Sequence, residues 1–348
     1  MEERKEIIRK MVSIGMPTTK ALEIAGVPRS TYYFKGKGTK KGKAASTHTV
    51  FKGEMVPNDA IVTSINEILS QEFIDYGYIR TTVVLKQLGY MINKKKVYRI
   101  MKEQHLLFPK RKGINKGKKY VQYTSPACTH PFEVMEIDIK YIYIHGIKSN
   151  AYLITILDVF TRVALVWSLN MNMKAQRVNE LIDQLMNQWF IPYDIDPFNT
   201  QIKIRTDNGS QFIAHTFRER LMRSGIDNEY IRPGTPQQNG HIESFHSTVS
   251  NLVCNKYHFE DFESAKLTLS RFFDVYNNKR IMASILYLTP MDFLNLWNLG
   301  YIEVKKNKVK TKYFFRESRP EKQASLSSEV DFRFYKDNNN SNTFFTTS

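Results

Sequence analysis

The sequence predicts a multidomain chain, with two all-α helix-turn-helix modules followed by an α/β domain built on a mixed five-stranded sheet. Three observations predict it. Apolar residues recur at helical spacing up to about residue 107 and alternate with period two from residue 131. Three consecutive strand-like stretches are then followed by alternating helix and strand, the order of a mixed sheet with helices on both faces. Charge divides at the same place: through residue 130 there are 25 Lys and Arg against 10 Asp and Glu, a net of +15, whereas the remainder carries 26 against 24, a net of +2. A basic segment joined to a near-neutral domain is the footprint of nucleic-acid binding attached to a differently employed unit.

Residues 1–34 read as the first module. Ile7, Ile8 and Met11 space one apolar stripe, Gly15 breaks it, Thr18 or Thr19 can cap a second helix bearing Ala21, Leu22 and Ala25, and Gly26 turns the chain toward a third helix capped by Ser30. A generic three-helix bundle has the same pattern. The charge around it favours a helix-turn-helix, with Arg29, Thr31 and Tyr32 presented to the major groove. Residues 35–57 open with "KGKGTKKGK" and read as a basic flexible linker; "GTKKGKA" lacks the spacing and the Ser or Thr of a phosphate loop. Residues 58–107 form a second helical module, in which Gly89 turns the chain and Asn93 caps a helix crowded with Lys94, Lys95, Lys96, Arg99 and Lys102. Residues 108–130 read as a second basic linker, whose Lys110, Arg111, Lys112, Lys118 and Lys119 can track phosphates.

From Pro131 to residue 298 the α/β domain runs in order. "FEVMEIDIKYIYIHG" alternates as a strand, "SNAYLITILDVF" and "RVALVWSLN" supply two more, and "AQRVNELIDQLMNQWF" is an amphipathic helix. A strand ending at Asp207, a helix through "HTFRERLMRSG", the short strand "IDNEYIR", the loop "PGTPQQNG" and a long helix from about His241 complete it. Residues 299–348 read as a C-terminal extension, partly disordered. The most apolar stretch, "AYLITILDVFTRVALVWSL", contains Asp158 and Arg162 and reads as two paired strands rather than a membrane span. The N-terminus lacks an apolar signal core, so a cytosolic protein is expected. Cys128 and Cys254 have no CxxC companions, and ordinary buried or half-buried thiols are expected.

Three acids stand out. Asp207 ends an alternating run at Asn208-Gly209, a strand tip, and alone would read as a turn cap. Asp138 lies mid-strand on the face opposite Ile137 and Ile139, a costly place for an unused carboxylate. Glu243 falls in the first turn of a helix, where the dipole favours an acid. The 35 residues between Asp207 and Glu243 hold a helix, a strand and a loop, enough to bring the chain back. Converging carboxylates suit two Mg²⁺ ions roughly 3.5–4 Å apart that clamp the attacking and leaving oxygens of a phosphodiester displacement.

These stretches, "IDIKY", "RTDNGSQF" and "GTPQQNGHIESFHSTV", resemble the three signatures of the DDE transposase and retroviral integrase superfamily, in the form found in bacterial insertion-sequence transposases. The resemblance extends through "FFDVYNNKRIMASILYLTPMDF" and back through "DYGYIRTTVVLKQLGY", about two thirds of the chain. It implies a ribonuclease H-like core with Asp138, Asp207 and Glu243 as ligands of two Mg²⁺ ions, Mn²⁺ substituting. It also implies cleavage at element ends by water, attack of a 3′-hydroxyl on target DNA, double-stranded DNA as partner, and a homo-oligomer, dimer or higher, on that DNA, associated with the nucleoid when bound. The supporting glycines 209 and 240 are expected to permit close backbone approach, and Asn208, Gln238 and Asn239 to orient DNA or ligands. Ser247 and Ser250, four and seven residues beyond Glu243, are expected on its helix face toward DNA. Two positions depart from the family pattern: Lys140 stands where relatives often have Thr, and Ser250 where they often have Lys. Two rivals remain, a domesticated transposase acting as a sequence-specific DNA-binding regulator, and a tyrosine recombinase, suggested only by the many tyrosines.

Overall fold

The computed structural model describes residues 2–33, 46–108, 128–232, 236–306 and 311–316. Lys110, Arg111, Lys112, Lys118 and Lys119 therefore lie outside the described residues, as do residues 35–45 of the first linker and the tail beyond residue 316. The chain forms two compact units, residues 1–47 and 48–348.

In the first unit, α1 (Glu2–Ser13), α2 (Thr18–Ile24) and α3 (Arg29–Tyr32) bury Ile8, Ala21, Leu22 and Val27 between them. Gly15 and Gly26 turn the chain with positive φ, as expected. The caps differ from expectation. Pro17 and Pro28 occupy the N-cap positions, so neither Thr18, Thr19 nor Ser30 caps a helix. A proline fixes φ near the value helix entry needs and has no N–H to satisfy, which displaces the hydroxyl caps by one or two residues.

The second unit begins inside the expected linker. β1 (His48–Phe51) and β2 (Glu54–Pro57) form a hairpin through Lys52 and Gly53, both with positive φ, and β3 (Tyr90–Met91) adds to β1 in the order β2-β1-β3. Such a two-residue turn suits the strand twist, and a basic Lys-Gly pair conceals it in sequence. Helices α4 (Asn58–Ser70), α5 (Tyr78–Gln87) and α6 (Lys94–Glu103) follow, with Gly89 turning the chain and the Asn93 side chain accepting from the Lys96 N–H at 2.9 Å.

These helices do not stand apart from the α/β domain. Ile61, Ile65, Leu85, Val97 and Ile100 share one core with Ile142, Phe245, Phe272 and Phe273. The 71–77 turn is bolted to the far end of the chain. Arg280 donates to Asp75 Oδ1 at 2.6 Å and to the Phe73 carbonyl at 3.2 Å, while the Tyr76 hydroxyl donates to the Lys279 carbonyl and accepts from the Ile281 N–H.

The central sheet contains β4 (Val134–Ile144), β5 (Ser149–Asp158), β6 (Ala164–Asn170), β7 (Lys203–Thr206) and β8 (Asp227–Tyr230), in the order β6-β5-β4-β7-β8. The first three strands are antiparallel, and β7 and β8 run parallel to β4 and to each other. Helices α7 (Ala175–Leu185), α8 (Ser210–Ile213) and α9 (His215–Arg223) cover the face carrying Met135 and Ile137. The opposite face, carrying Ile142 and Ile144, packs on α10 (Gly240–Val249) and α11 (Phe262–Asn278). α10 widens into a π-helical turn at Ser250–Cys254. Part of the C-terminal extension is ordered: after α12 (Pro290–Asn298), β9 (Ile302–Lys306) and β10 (Thr311–Phe315) form a hairpin whose Val304, Tyr313 and Phe315 pack around Phe160, Phe293 and Trp297. Among the described residues no helix is long and apolar enough to cross a membrane. Cys128 is buried and Cys254 half-buried, and neither is in a disulfide.

Candidate active site

Period two along β4 puts Glu136 and Asp138 on the face that α10 covers. Asp138 is half-buried opposite Thr155 of β5. Its Oδ1 accepts from the Ile139 N–H at 2.7 Å, and its Oδ2 lies 3.3 Å from His246 Nδ1 on α10. Glu243 projects from the first turn of α10 at the exposed rim. Partial desolvation of its carboxyl, followed by the charges of Asp138 and Glu136, raises its pKa above the ordinary carboxylate value, with His246 opposing them. Asp138 and Glu243 are thus near enough to feel each other.

Asp207 follows the end of β7, the strand beside β4, half-buried. Its Oδ1 is turned onto its own loop, accepting from the Gly209 N–H at 2.9 Å. Gly209 allows this closeness, because an added Cβ would stand 2.9 Å from that oxygen. Among the described residues a Cβ at Gly240 would meet nothing within 4 Å. Among the described residues no three His, Cys, Asp or Glu side chains converge tightly enough to hold an ion. Asp138 on β4 and Glu243 on α10 stand on elements joined by the Asp138–His246 contact, and Asp207 stands on the adjacent strand tip. As hard oxygen donors, the three are the set a Mg²⁺ or Mn²⁺ ion prefers.

Glu136, Arg205, His241 and His246 escaped the sequence reading. Glu136 is fully buried; its Oε2 accepts from the Ile242 N–H at 2.7 Å, its Oε1 accepts from His241 Nδ1 at 3.0 Å, and Arg205 lies 3.8 Å away. Arg205, 4% exposed, donates to the Gln238 carbonyl at 2.7 Å and to Glu229 at 3.0 Å. Strand period alone could have found two of them, since Glu136 shares a face with Asp138 and Arg205 one with Asp207. His246 is buried with its Nε2 unpartnered among the described residues, as is Thr155 Oγ1.

The expected DNA contacts divide. Arg29 is exposed beside the Tyr33 ring, 5.8 Å from its centroid, while Thr31 and Tyr32 are half-buried. Lys94 and Lys95 are exposed on α6, and Arg99 lies 3.9 Å from Glu103. Lys96 is committed to structure, its Nζ donating to the His48 carbonyl and to Thr49 of β1. Asn239 is buried, with Oδ1 unpartnered among the described residues. Ser247 is exposed like Glu243, but Ser250 is half-buried and donates its hydroxyl to the His246 carbonyl at 3.0 Å.

The strand order and directions are those of a ribonuclease H-like domain, here with acids on the first strand, after the fourth, and at the start of the helix that follows the fifth. Two families, each described as integrase core domain, match residues 129–236 and 224–290, and one described as HTH-like domain matches residues 57–113. The chain is 25% identical over 253 residues to the transposase for insertion sequence element IS904 of Lactococcus lactis subsp. lactis strain IL1403, covering 69% of this chain and 95% of that one. It is 25% identical over 292 residues to the putative transposase InsK for insertion sequence element IS150 of Escherichia coli strain K12, covering 80% and 94%. The crystal structure of the catalytic core domain of BIV integrase aligns at 18% identity and a TM-score of 0.37, over 49% of this chain and 99% of that one. These matches place an integrase core over residues 129–290, behind an HTH-like domain, and support a member of the DDE transposase and retroviral integrase superfamily.

Proposed function

We propose that this protein is the transposase of an insertion sequence, a polynucleotidyl transferase that binds the element ends and catalyses divalent-metal-dependent strand cleavage and strand transfer in the cytosol. The observation that carries the reading is that Asp138 on the sheet of an integrase-type core meets His246 of α10, the helix whose first turn carries Glu243, with Asp207 at the tip of the neighbouring strand. Asp138, Asp207 and Glu243 would hold Mg²⁺, or Mn²⁺ in its place, with Asp207 giving up its bond to the Gly209 N–H. Bound ions supply Lewis-acid polarisation of the phosphate and activation of the attacking oxygen. The chain's own residues do the rest. Exposed Arg29, Lys94 and Lys95 bind phosphates, as do the basic residues between 109 and 127, and the rigid sheet fixes where the acids stand. Strand transfer joins both element ends to target DNA, so a dimer or larger assembly on double-stranded DNA is part of this proposal.

A second reading, a DNA-binding regulator without cleavage, draws on the carboxylate of Asp207 being turned to its own loop. Incubating the full-length protein with a plasmid carrying the DNA that flanks its gene, plus Mg²⁺, separates the two. Nicks mapped to fixed ends with free 3′-hydroxyls are expected; tight end binding with no cleavage in Mg²⁺ or Mn²⁺ would leave the regulator.

A further inference from the structure

Each of the three acids follows, at a spacing of two, a polar residue that joins one buried network: Glu136 before Asp138, Arg205 before Asp207, His241 before Glu243. We propose that Glu136, Arg205 and His241 are positioning residues, a buried register lock beneath the catalytic carboxylates that fixes how the two strands and the helix meet. This rests on the metal-site reading above.

The lock sits where the register is weakest. The β4–β7 ladder is three pairs long, and Glu136 with Arg205 is its last pair before the two acids. A slip of one residue would send Asp207 to the other face of the sheet. The Glu136 carboxylate, beside Arg205, also accepts the first-turn Ile242 N–H of α10, so the same side chain sets the start of the helix that carries Glu243. Arg205 then reaches outward to Glu229 of β8 and back to the Gln238 carbonyl just ahead of α10. A fully buried carboxylate and a nearly buried guanidinium are costly to desolvate, and apolar residues of similar volume would stabilise the fold as well. Apolar residues would not fix a register. All three side chains would act through the neighbours they hold.

Mn²⁺ affinity measured by calorimetry on the full-length protein tests this without DNA. Asp138→Asn serves as the ligand-loss control, and circular dichroism and tryptophan fluorescence report folding. Glu136→Gln keeps an acceptor for Ile242 but loses the charge, and is expected to weaken Mn²⁺ binding by about 10–100-fold, the usual cost of losing a group that orients a ligand. His241 is 23% exposed, so His241→Ala should fold even if Glu136→Gln does not. It is expected to weaken binding several-fold, with recovery in His241→Asn, whose amide nitrogen stands near the position of Nδ1. Folded variants that bind Mn²⁺ within twofold of the wild type, while Asp138→Asn abolishes binding, would overturn the lock and leave the metal site intact. Equal weakening by His241→Ala and His241→Asn would also overturn it, since the hydrogen bond would then be irrelevant. Wild-type protein with no Mn²⁺ binding that Asp138→Asn removes would overturn both readings.

Discussion

Replacing Arg280 with Met probes how the helical region 58–103 is fastened to the α/β domain. Arg280 is 6% exposed and makes two bonds across the joint, to Asp75 and to the Phe73 carbonyl. The charge-assisted bond is of a class worth about 1.5–3 kcal/mol, discounted here because Asp75 is 32% exposed and keeps Arg80 at 3.9 Å. The Phe73 carbonyl loses its donor, at about 1 kcal/mol. Two effects offset these losses. Met needs no desolvation of a guanidinium, and Arg80, whose charge is disfavoured by burial and then by Arg280, is relieved. The expected net destabilisation is about 2 kcal/mol. Asp75→Asn should cost more, about 3 kcal/mol, because it leaves a nearly buried Arg280 beside Arg80 with no anion. Urea denaturation read by tryptophan fluorescence isolates the effect, since Trp167, Trp189 and Trp297 all lie beyond residue 47. Arg280→Met within about 0.5 kcal/mol of wild type, or Asp75→Asn milder than Arg280→Met, would refute the assignment of this joint.

Other outcomes follow from single contacts. Gly209→Ala should displace Asp207 and Gln211 and weaken Mn²⁺ binding about tenfold with the fold intact, whereas Gly240→Ala should leave binding unchanged; calorimetry on the pair checks this. Lys95→Gln should flatten the plot of log end affinity against log salt by about 0.9, while Lys96→Gln should lower stability with little change in slope, because its ammonium holds β1. Burial pushes the Cys128 thiol up to about 12, so the native chain keeps a proton that the unfolded chain releases near pH 9. Stability should therefore decline as pH rises above 9, less so in Cys128→Ala, and iodoacetamide at pH 8 should reach Cys128 only on unfolding, as peptide mass spectrometry would show.

What was legible in the sequence was what local periodicity encodes. Asp138 in a strand, Asp207 at a strand tip, Glu243 in a first helical turn, the five strands and the Asn93 cap each follow from a few neighbouring residues. Contacts closed by distant segments were not legible. Arg280 meets Asp75 across 205 positions, and the core that α4–α6 share with α10–α11 leaves no local sign in the sequence. Ser250 adds a contact that its offset of seven from Glu243 does not encode: its hydroxyl bonds back to the His246 carbonyl, where the helix begins to widen into a π turn. The C-terminal hairpin was readable in the alternation of Ile302 with Val304 and Tyr313 with Phe315, yet it was absorbed into an extension expected to be partly disordered.

The most direct test is cleavage of DNA carrying the sequences that flank the gene, with and without Mg²⁺, by wild-type protein and by Asp138→Asn, Asp207→Asn and Glu243→Gln, with end binding measured in parallel. Expected are metal-dependent cleavage at the ends by the wild type and a loss of more than about a hundredfold in every variant, with end affinity kept within about threefold because the binding charge lies before residue 131. Near-normal Mg²⁺-dependent cleavage by Asp207→Asn would contradict a three-carboxylate metal site.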